Sequence, residues 1–178
     1  EEGSLFVADV YLDNRGELLK DPVFDGGREE PTDGEVLLRF WERYGWERLG
    51  EVKGSYAFAY WDPKAGRVTL AADQLANRRL YYAVVDRILY FSTLMEPIAA
   101  LNRGKLHENR EVFQDFLAMA DRRVYLDHEA TVFSEIRHVT AGELLEITAQ
   151  GGSRRVSWDP LKNLSLFSGK SDEDYKRE

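Results

Sequence analysis

The 178-residue sequence contains no cysteine, which excludes disulfides, thiolate metal sites and a cysteine nucleophile within the chain. No apolar run approaches the roughly 18 residues that a membrane-spanning helix requires. The N-terminus also lacks the basic and apolar regions that define a signal peptide. We therefore expect a cytoplasmic protein with no membrane partner.

Positive charge is also scarce, because 24 Lys and Arg residues face 32 Asp and Glu residues, for a net charge of −8. Such a balance argues against broad contact with phosphate backbones, so no nucleic-acid partner is expected. The three histidines, His107, His128 and His138, do not share the spacing of metal ligands, and no metal site is predicted. No phosphate-binding loop, dinucleotide fingerprint or GxSxG motif occurs.

Apolar residues are plentiful, at 43 % of the chain, which is enough for a hydrophobic core. Hydrophobic periodicity and turn residues predict strands and helices in separate groups along the chain. The predicted strands are 5–12, 55–62, 67–73, 80–85, 88–92, 144–147 and 154–158, and the predicted helices are 14–20, 33–44, 95–101 and 111–120. Such grouping favours an α+β fold, in which helices stack outside antiparallel sheets.

Local signals mark several boundaries. Thr32 and Glu35 form a capping-box signature before an amphipathic run, and Gly45 is a plausible helix stop. The strand 55–62 is almost continuously apolar, which predicts a sheet covered on both faces. Turns are predicted at Asp86-Arg87 and at Gly151-Gly152. Residues 21–31 read as a loop, and the last residues, from Ser171, read as the capped start of a further helix.

Several carboxylates stand at the ends of predicted elements, among them Asp9, Asp62 and Asp73, and most such residues cap or turn the chain. Asp33 is the best candidate for binding a ligand, because it lies in the first turn of a helix, where the helix dipole favours a carboxylate. It could accept hydrogen bonds from a ligand ammonium group. The alternative is simple charge complementarity with the helix N-terminus, and position alone favours that structural role.

A set of motifs then resembles the class II glutamine amidotransferase domain, the N-terminal-nucleophile domain of asparagine synthetases and their relatives. The residues that carry the resemblance follow the order and spacing of the family across nearly the whole chain. They are 32–38 (TDGEVLL), 54–62 (GSYAFAYWD), 70–82 (LAADQLANRRLYY), 91–100 (FSTLMEPIAA), 136–142 (IRHVTAG) and 156–160 (VSWDP).

The resemblance implies a four-layer α-β-β-α sandwich of two antiparallel sheets, as in N-terminal-nucleophile hydrolases. It implies an amidotransferase-like domain over residues 1–159, without its N-terminal strand and nucleophile. Residues 160–178 would be a linker and the start of an ATP-dependent synthetase domain. ATP and Mg²⁺ would bind that second domain and not this fragment. The expected partners are the chain's own synthetase domain, a small-molecule or peptide substrate and a second copy in a homodimer.

The chain departs from the family at its catalytic positions. The family's nucleophilic cysteine would lie upstream of Glu1, so no catalytic residue is expected in this fragment. The register places Asp9 and Val10 where glutamine-hydrolysing members have the Asn and Gly of the oxyanion hole, and Tyr11 where they have a Glu. Only Asp33 retains a glutamine-binding residue. An ionised carboxylate at Asp9 accepts hydrogen bonds and cannot donate one to an oxyanion.

Residues 9–18 (DVYLDNRGEL) resemble instead the divergent members that make natural products, such as lasso-peptide cyclases and β-lactam synthetases. Three hypotheses follow. The first is an ATP-dependent amide-forming ligase with a degenerate glutaminase site. The second is a glutamine-hydrolysing asparagine synthetase whose cysteine lies in upstream residues. The third is a non-catalytic scaffold or peptide-docking domain.

Overall fold

The computed structural model describes residues 3–24, 30–118 and 128–159 and contains eight strands within them. The strands are β1 (Leu5–Leu12), β2 (Gly54–Asp62), β3 (Arg67–Ala72), β4 (Tyr81–Val85), β5 (Ile88–Ser92), β6 (Ile136–His138), β7 (Glu143–Thr148) and β8 (Gly151–Val156). The helices are α1 (Arg15–Leu18), α2 (Asp33–Leu49), α3 (Met95–Leu101) and α4 (Arg110–Ala118), with a short 3₁₀ helix at Pro22–Phe24.

The strands form two antiparallel sheets. The larger sheet has the order β1-β2-β3-β7-β8, and the smaller has the order β5-β4-β6. The predicted α+β class with two antiparallel sheets is therefore confirmed. The three-residue strand β6 was not predicted, because a segment so short shows no alternating pattern and is fixed by its pairing with β4.

Helix α2 covers the outer face of the larger sheet. Its apolar stripe, which includes Val36, Phe40 and Trp41, packs on Tyr56 and Phe58 of β2. The predicted capping box at its N-terminus is present, since Glu35 N donates to Thr32 Oγ1 over 3.3 Å and Thr32 N donates to Glu35 Oε2 over 2.7 Å. Burial of this stripe, together with the cap, accounts for the position of α2.

The predicted stop of α2 at Gly45 is corrected by the structure. Gly45 leaves the helical conformation, with φ of 59° and ψ of −148°, but the helix resumes and continues to Leu49. The glycine therefore acts as a kink, because it reaches positive φ without the steric cost of a Cβ. Buried Leu49 anchors the second half of the helix in the same apolar cluster.

A second apolar layer separates the two sheets, and a third lies under α3. The inter-sheet layer contains small residues, such as Ala57, Ala59 and Ala72, which allow close approach of the sheets. Ile98 of α3 packs on the outer face of the smaller sheet. The four predicted layers are thus present, and strand 55–62 is buried on both faces over Tyr56 to Tyr60, as its composition predicts.

Two hairpin predictions have different outcomes. Asp86 and Arg87 both have positive φ, as a two-residue turn between right-twisted strands requires, and the predicted turn is confirmed. The turn predicted at Gly151-Gly152 is wrong, because both glycines pair within β8. The chain turns at residues 149–150, where the Thr148 hydroxyl accepts from Gln150 N and donates to Gly151 O.

Parts of the sequence predictions lie outside the described residues. These are residues 25–29 of the predicted loop, the last two residues of the predicted helix 111–120, and the whole of 160–178 with its linker and helix start. Within the described ranges, no helix is both long and apolar enough to cross a membrane.

Candidate functional site

The site is organised by a buried carboxylate at the end of β3. Asp73 is 1 % exposed, and its side chain accepts four backbone hydrogen bonds. The donors are the N–H groups of Tyr56 at 3.2 Å and of Leu75, Asn77 and Arg78 at 3.0 Å each. Backbone donors in this number satisfy a buried negative charge. The turn-forming role expected for Asp73 is confirmed, and the loop 73–80 takes its shape from it.

The same residue connects distant segments of the family pattern. The Asp73 carbonyl accepts from Gly142 N over 3.1 Å, and the Gly142 carbonyl accepts from Trp158 N over 3.1 Å. Gly142 has a φ of 69°, and a Cβ there would lie 2.7 Å from the Trp158 carbonyl oxygen. Only glycine fits this close approach, so three motifs that are far apart in sequence meet at one point. Burial raises the pKa of the adjacent Tyr56 phenol, and the Asp73 charge raises it further.

Asp9 and Val10 lie on opposite faces of β1, as successive strand residues must. Asp9 pairs with Ala57, which in turn pairs with Ala72, so its side chain shares the face that looks toward the smaller sheet. Val10 is half-buried and packs against the cluster under α2. Of the two predicted oxyanion-hole positions, only Asp9 presents its side chain to the inner face.

The Asp9 carboxylate is paired with a residue of the Asp73 loop. Its Oδ1 lies 3.4 Å from Arg78 Nε, and both side chains are 46 % exposed. An ion pair this exposed contributes only about 0–1 kcal/mol to stability. The pair therefore matters chemically more than energetically, because it places a carboxylate and a guanidinium where the family resemblance expects an uncharged amide donor.

These residues line a cavity of about 390 Å³ between β1, the loop 73–80 and the start of α3. Its lining residues are Asp9, Asn77, Arg78, Arg79, Tyr81, Thr93, Leu94, Met95 and Glu96. Arg79 donates to the Tyr81 hydroxyl over 3.4 Å, and this bond raises the pKa of the guanidinium. The cavity thus holds two carboxylates and two guanidinium groups, and neither a cysteine nor a histidine is among its described lining residues.

Asp33 lies at the first turn of α2, as predicted, and both of its oxygens accept hydrogen bonds. Oδ2 accepts from Leu12 N over 2.8 Å, and Oδ1 accepts from Arg15 Nη1 over 2.8 Å. These bonds join the end of β1 and the start of α1 to α2, which accords with a structural role. Asp33 is not among the residues that line the Asp9 cavity. Its role in glutamine binding stays a prediction.

Sequence reasoning missed Arg78 as the partner of Asp9. The two residues are far apart in the chain, and no local spacing rule relates them. Arg78 lies in the segment 70–82, which resembles a family motif. The sequence could therefore have indicated that Arg78 belongs to a loop near the site. The side-chain direction toward Asp9 follows only from the Asp73 hydrogen bonds that shape the loop.

The three histidines do not converge in the structure. His107 Nδ1 lies 2.6 Å from Glu135 Oε1 at the surface, whereas His128 and His138 line a separate cavity with Glu129 and Glu143. Among the described residues, no group of three or more His, Cys, Asp or Glu side chains could hold a metal ion.

Comparisons with known proteins show the family of the chain. Residues 22–158 match the model of a family described as the glutamine amidotransferase domain. A Methanocaldococcus jannaschii protein with the provisional name asparagine synthetase [glutamine-hydrolyzing] 2 is 29 % identical over 107 residues, which cover 57 % of this chain and 21 % of that protein. Asparagine synthetase [glutamine-hydrolyzing] 2 of Bacillus subtilis is 23 % identical over 174 residues, covering 95 % of this chain and 23 % of that protein.

Solved structures show the same fold. Glutamine phosphoribosylpyrophosphate amidotransferase from B. subtilis superposes with a TM-score of 0.59 at 16 % identity, over 89 % of this chain and 30 % of that chain. An allosteric regulatory enzyme of purine biosynthesis superposes with a TM-score of 0.58 at 16 % identity, over 87 % of this chain and 28 % of that chain. At this identity the likeness concerns the fold alone.

Fold and motifs together define a class II glutamine amidotransferase domain. The chain belongs to the glutamine amidotransferase domain family, and its curated relatives are asparagine synthetases. It spans less than a quarter of the length of those relatives.

Proposed function

We propose that this chain is the amidotransferase-like domain of an ATP-dependent amide-bond-forming ligase of the asparagine synthetase type, with a degenerate glutaminase site. The observation that carries the proposal is the carboxylate of Asp9 in the inner cavity, 3.4 Å from Arg78. Acyl transfer requires hydrogen-bond donors directed at the developing oxyanion. A carboxylate at this point repels that charge and lacks a hydrogen to donate.

The rest of the proposed enzyme lies outside this domain. A synthetase domain of the same protein would bind ATP and Mg²⁺ and activate a carboxylate of a small molecule or peptide. An amine of the substrate would then attack the activated carboxylate, so the reaction needs no ammonia from glutamine. Loss of the glutaminase site then carries no penalty while the fold is retained. This is the arrangement of the natural-product ligases that residues 9–18 resemble. We propose that the enzyme acts in the cytoplasm, as a homodimer.

A second candidate is a glutamine-hydrolysing asparagine synthetase. It is favoured by the alignment with the B. subtilis asparagine synthetase, which covers 95 % of this chain. In that case an upstream cysteine would attack glutamine, and Asp33 would bind the substrate.

The two candidates differ in a direct assay on the full-length protein that carries this domain. Glutamate release from L-glutamine is measured beside ATP-dependent pyrophosphate release with candidate carboxylate and amine substrates. We expect pyrophosphate release without glutamate release, and Asp33→Ala should leave the pyrophosphate rate unchanged if the domain folds. Robust glutamate release that Asp33→Ala abolishes would refute the proposal and establish the second candidate.

Asp9→Asn sharpens the test. This change restores an amide donor at the oxyanion position and removes the charge beside Arg78. If glutaminase activity is present and Asp9→Asn raises it, the site is an impaired glutaminase and not a vestige. If neither form releases glutamate, the degenerate assignment stands.

A further inference from the structure

The two sheets leave an open cleft at the end of the sandwich where β3 begins and β7 ends. It has a volume of about 990 Å³ and shares no lining residue with the Asp9 cavity. One wall belongs to the larger sheet and the other to the smaller sheet. The apolar side chains of the two walls include Trp61, Val68, Ile147, Tyr82, Val84 and Leu89.

The register of the larger sheet explains why the cleft is open. Trp61 pairs with Val68, Val68 with Ile147, and Ile147 with Gly152, so the four positions lie in one row on the same face. The row ends at a glycine, which contributes no side chain to fill the space. Across the cleft, Val84 remains 55 % exposed. Apolar surface on two facing walls favours a ligand with an apolar body.

The charged residues that line the cleft are arginines. Arg87 and Arg154 line the cleft, and no Asp or Glu is among its described lining residues. Arg154 is engaged by Glu129. Within residues 3–24, 30–118 and 128–159, Arg87 forms no ion pair with a carboxylate, and the neighbouring Asp86 pairs with Lys105 Nζ at 2.5 Å. The two-residue β4–β5 turn, in which Arg87 has a φ of 65°, places this residue at the edge of the cleft.

We propose that this cleft binds a small amphipathic anion, an aryl or alkyl carboxylate. Its apolar body lies between the two walls, and its carboxylate is held by Arg87. An unpaired guanidinium beside an apolar space selects an anion over a neutral or cationic compound of the same shape. The proposal is independent of the fate of the glutaminase site, because it involves none of the residues of the Asp9 cavity.

The test uses three probes with one apolar body and different head groups: 4-phenylbutyrate, 4-phenylbutan-1-ol and 4-phenylbutylamine. Titration calorimetry or backbone amide shifts of the protein give the Kd of each. We expect 4-phenylbutyrate to bind at least about tenfold more tightly than the alcohol or the amine, because a charge-assisted hydrogen bond is lost with either substitute. Equal affinities for the acid and the alcohol, or no binding of the acid, would overturn the proposal.

Two variants locate the site. Arg87→Gln should reduce acid affinity to that of the alcohol and leave alcohol affinity unchanged. Gly152→Leu should weaken all binding, because it places a side chain in the cleft. A Cβ at Gly152 meets only Glu146 O at 3.5 Å and Leu145 Cδ1 at 3.6 Å, which are ordinary contacts, so the fold should tolerate it. Arg103→Gln, which removes an exposed arginine outside the cleft, is the matched control and should bind as wild type.

Unchanged acid affinity in both Arg87→Gln and Gly152→Leu would show that the probe binds elsewhere and would refute the assignment. Circular dichroism and thermal unfolding of each variant verify folding.

Discussion

At the scale of single residues, Asp9 and Asp73 show that aspartate has two different roles in this part of the molecule. Asp73 is buried and receives four backbone N–H groups, so its charge is structural. Asp9 is half-exposed and receives one guanidinium, so its charge is available to the cavity. Burial and the number of donors, not residue type, separate the two roles.

Replacing Asp73 with Asn should destabilise the domain by about 2–4 kcal/mol, because the amide turns one acceptor into a donor that faces backbone N–H groups and removes a charge they satisfy. Urea unfolding followed by tryptophan fluorescence measures the change. Asp86→Asn is the matched control. Asp86 pairs only at the surface, with Lys105, so its loss should cost less than about 1 kcal/mol. Equal effects of the two substitutions would contradict the clamp role of Asp73.

At the scale of elements, α2 is held by its apolar stripe and by contacts on both sides of its kink. The first half carries the capping box and the Asp33 bonds to β1 and α1. The second half is tied to the preceding segment by Arg48, whose guanidinium lies 3.2 Å from Asp21 Oδ2 and stacks on the Tyr44 ring at 4.0 Å. The kink at Gly45 allows both sets of contacts to form.

Gly45→Ala should destabilise the domain by about 1–2 kcal/mol, because an L-residue with positive φ brings its Cβ toward its own backbone. Nothing else lies within 4 Å of a Cβ at this position, so the effect is purely conformational. Gly34→Ala, in the regular first turn of the same helix, is the control and should be neutral or stabilising by up to about 1 kcal/mol. Thermal unfolding compares them, and a stabilised Gly45→Ala would show that the kink is not required.

The hydrogen bond between Tyr44 and Asp21 predicts that the stability of the domain depends on pH. A hydrogen bond from the Tyr44 hydroxyl, at 2.6 Å, is the main cause that lowers the pKa of Asp21, with Val23 N and Arg48 adding to it. A folded-state pKa below the ordinary 3.8 means that the carboxylate stabilises the fold at any pH above that value. This contribution is lost as the pH falls below 3.8 and through the folded-state pKa.

Asp21→Asn should therefore lower the Tm at pH 7, and the difference from wild type should shrink as the pH falls below 3.8. Thermal unfolding by circular dichroism between about pH 2 and pH 7 gives the two curves. Asp115→Asn, on the exposed α4, provides the comparison and should track wild type throughout. A difference that stays constant across this range would mean that Asp21 acts by packing and not by its charge.

At the scale of the whole molecule, the spacing of the two sheets decides what the interior can hold. Where Ala57, Ala59 and Ala72 meet the smaller sheet, the layers are in contact. Where Trp61, Val68 and Ile147 face Val84, the layers diverge and an apolar cleft remains. The Asp9 cavity and this cleft occupy different parts of the space between the sheets. The layer that contains Ala57, Ala59 and Ala72 is the packed region of that space.

Ala72 is fully buried between the two sheets. Ala72→Arg should destabilise the domain by more than about 3 kcal/mol, because a guanidinium would be buried without a partner and would overpack the layer. Urea unfolding checks this, with Ala65→Arg in the exposed turn between β2 and β3 as the neutral control. Wild-type stability in Ala72→Arg would mean that the sheets separate more readily than their packing indicates.

Much of the fold was predictable, because its signals are local. The capping box at Thr32, the aromatic strand 55–62 and the Asp86-Arg87 turn depend on neighbouring residues only. The errors arose where distant contacts decide. Strand β6 forms because it pairs with β4. Helix α2 continues past Gly45 because Leu49 packs in the core. Gly151 and Gly152 belong to β8 because they pair with β7.

The sequence by itself indicated the family and most of the elements, and it pointed to Asp9 and Val10 as departures from the family pattern and to Asp33 as a retained position. Only the tertiary structure decided which side chains meet. It turned Asp9 toward Arg78, turned Val10 toward α2 and committed both oxygens of Asp33 to Leu12 and Arg15. The physical reason is that side-chain direction depends on strand register and on hydrogen bonds between distant segments, which no local pattern encodes.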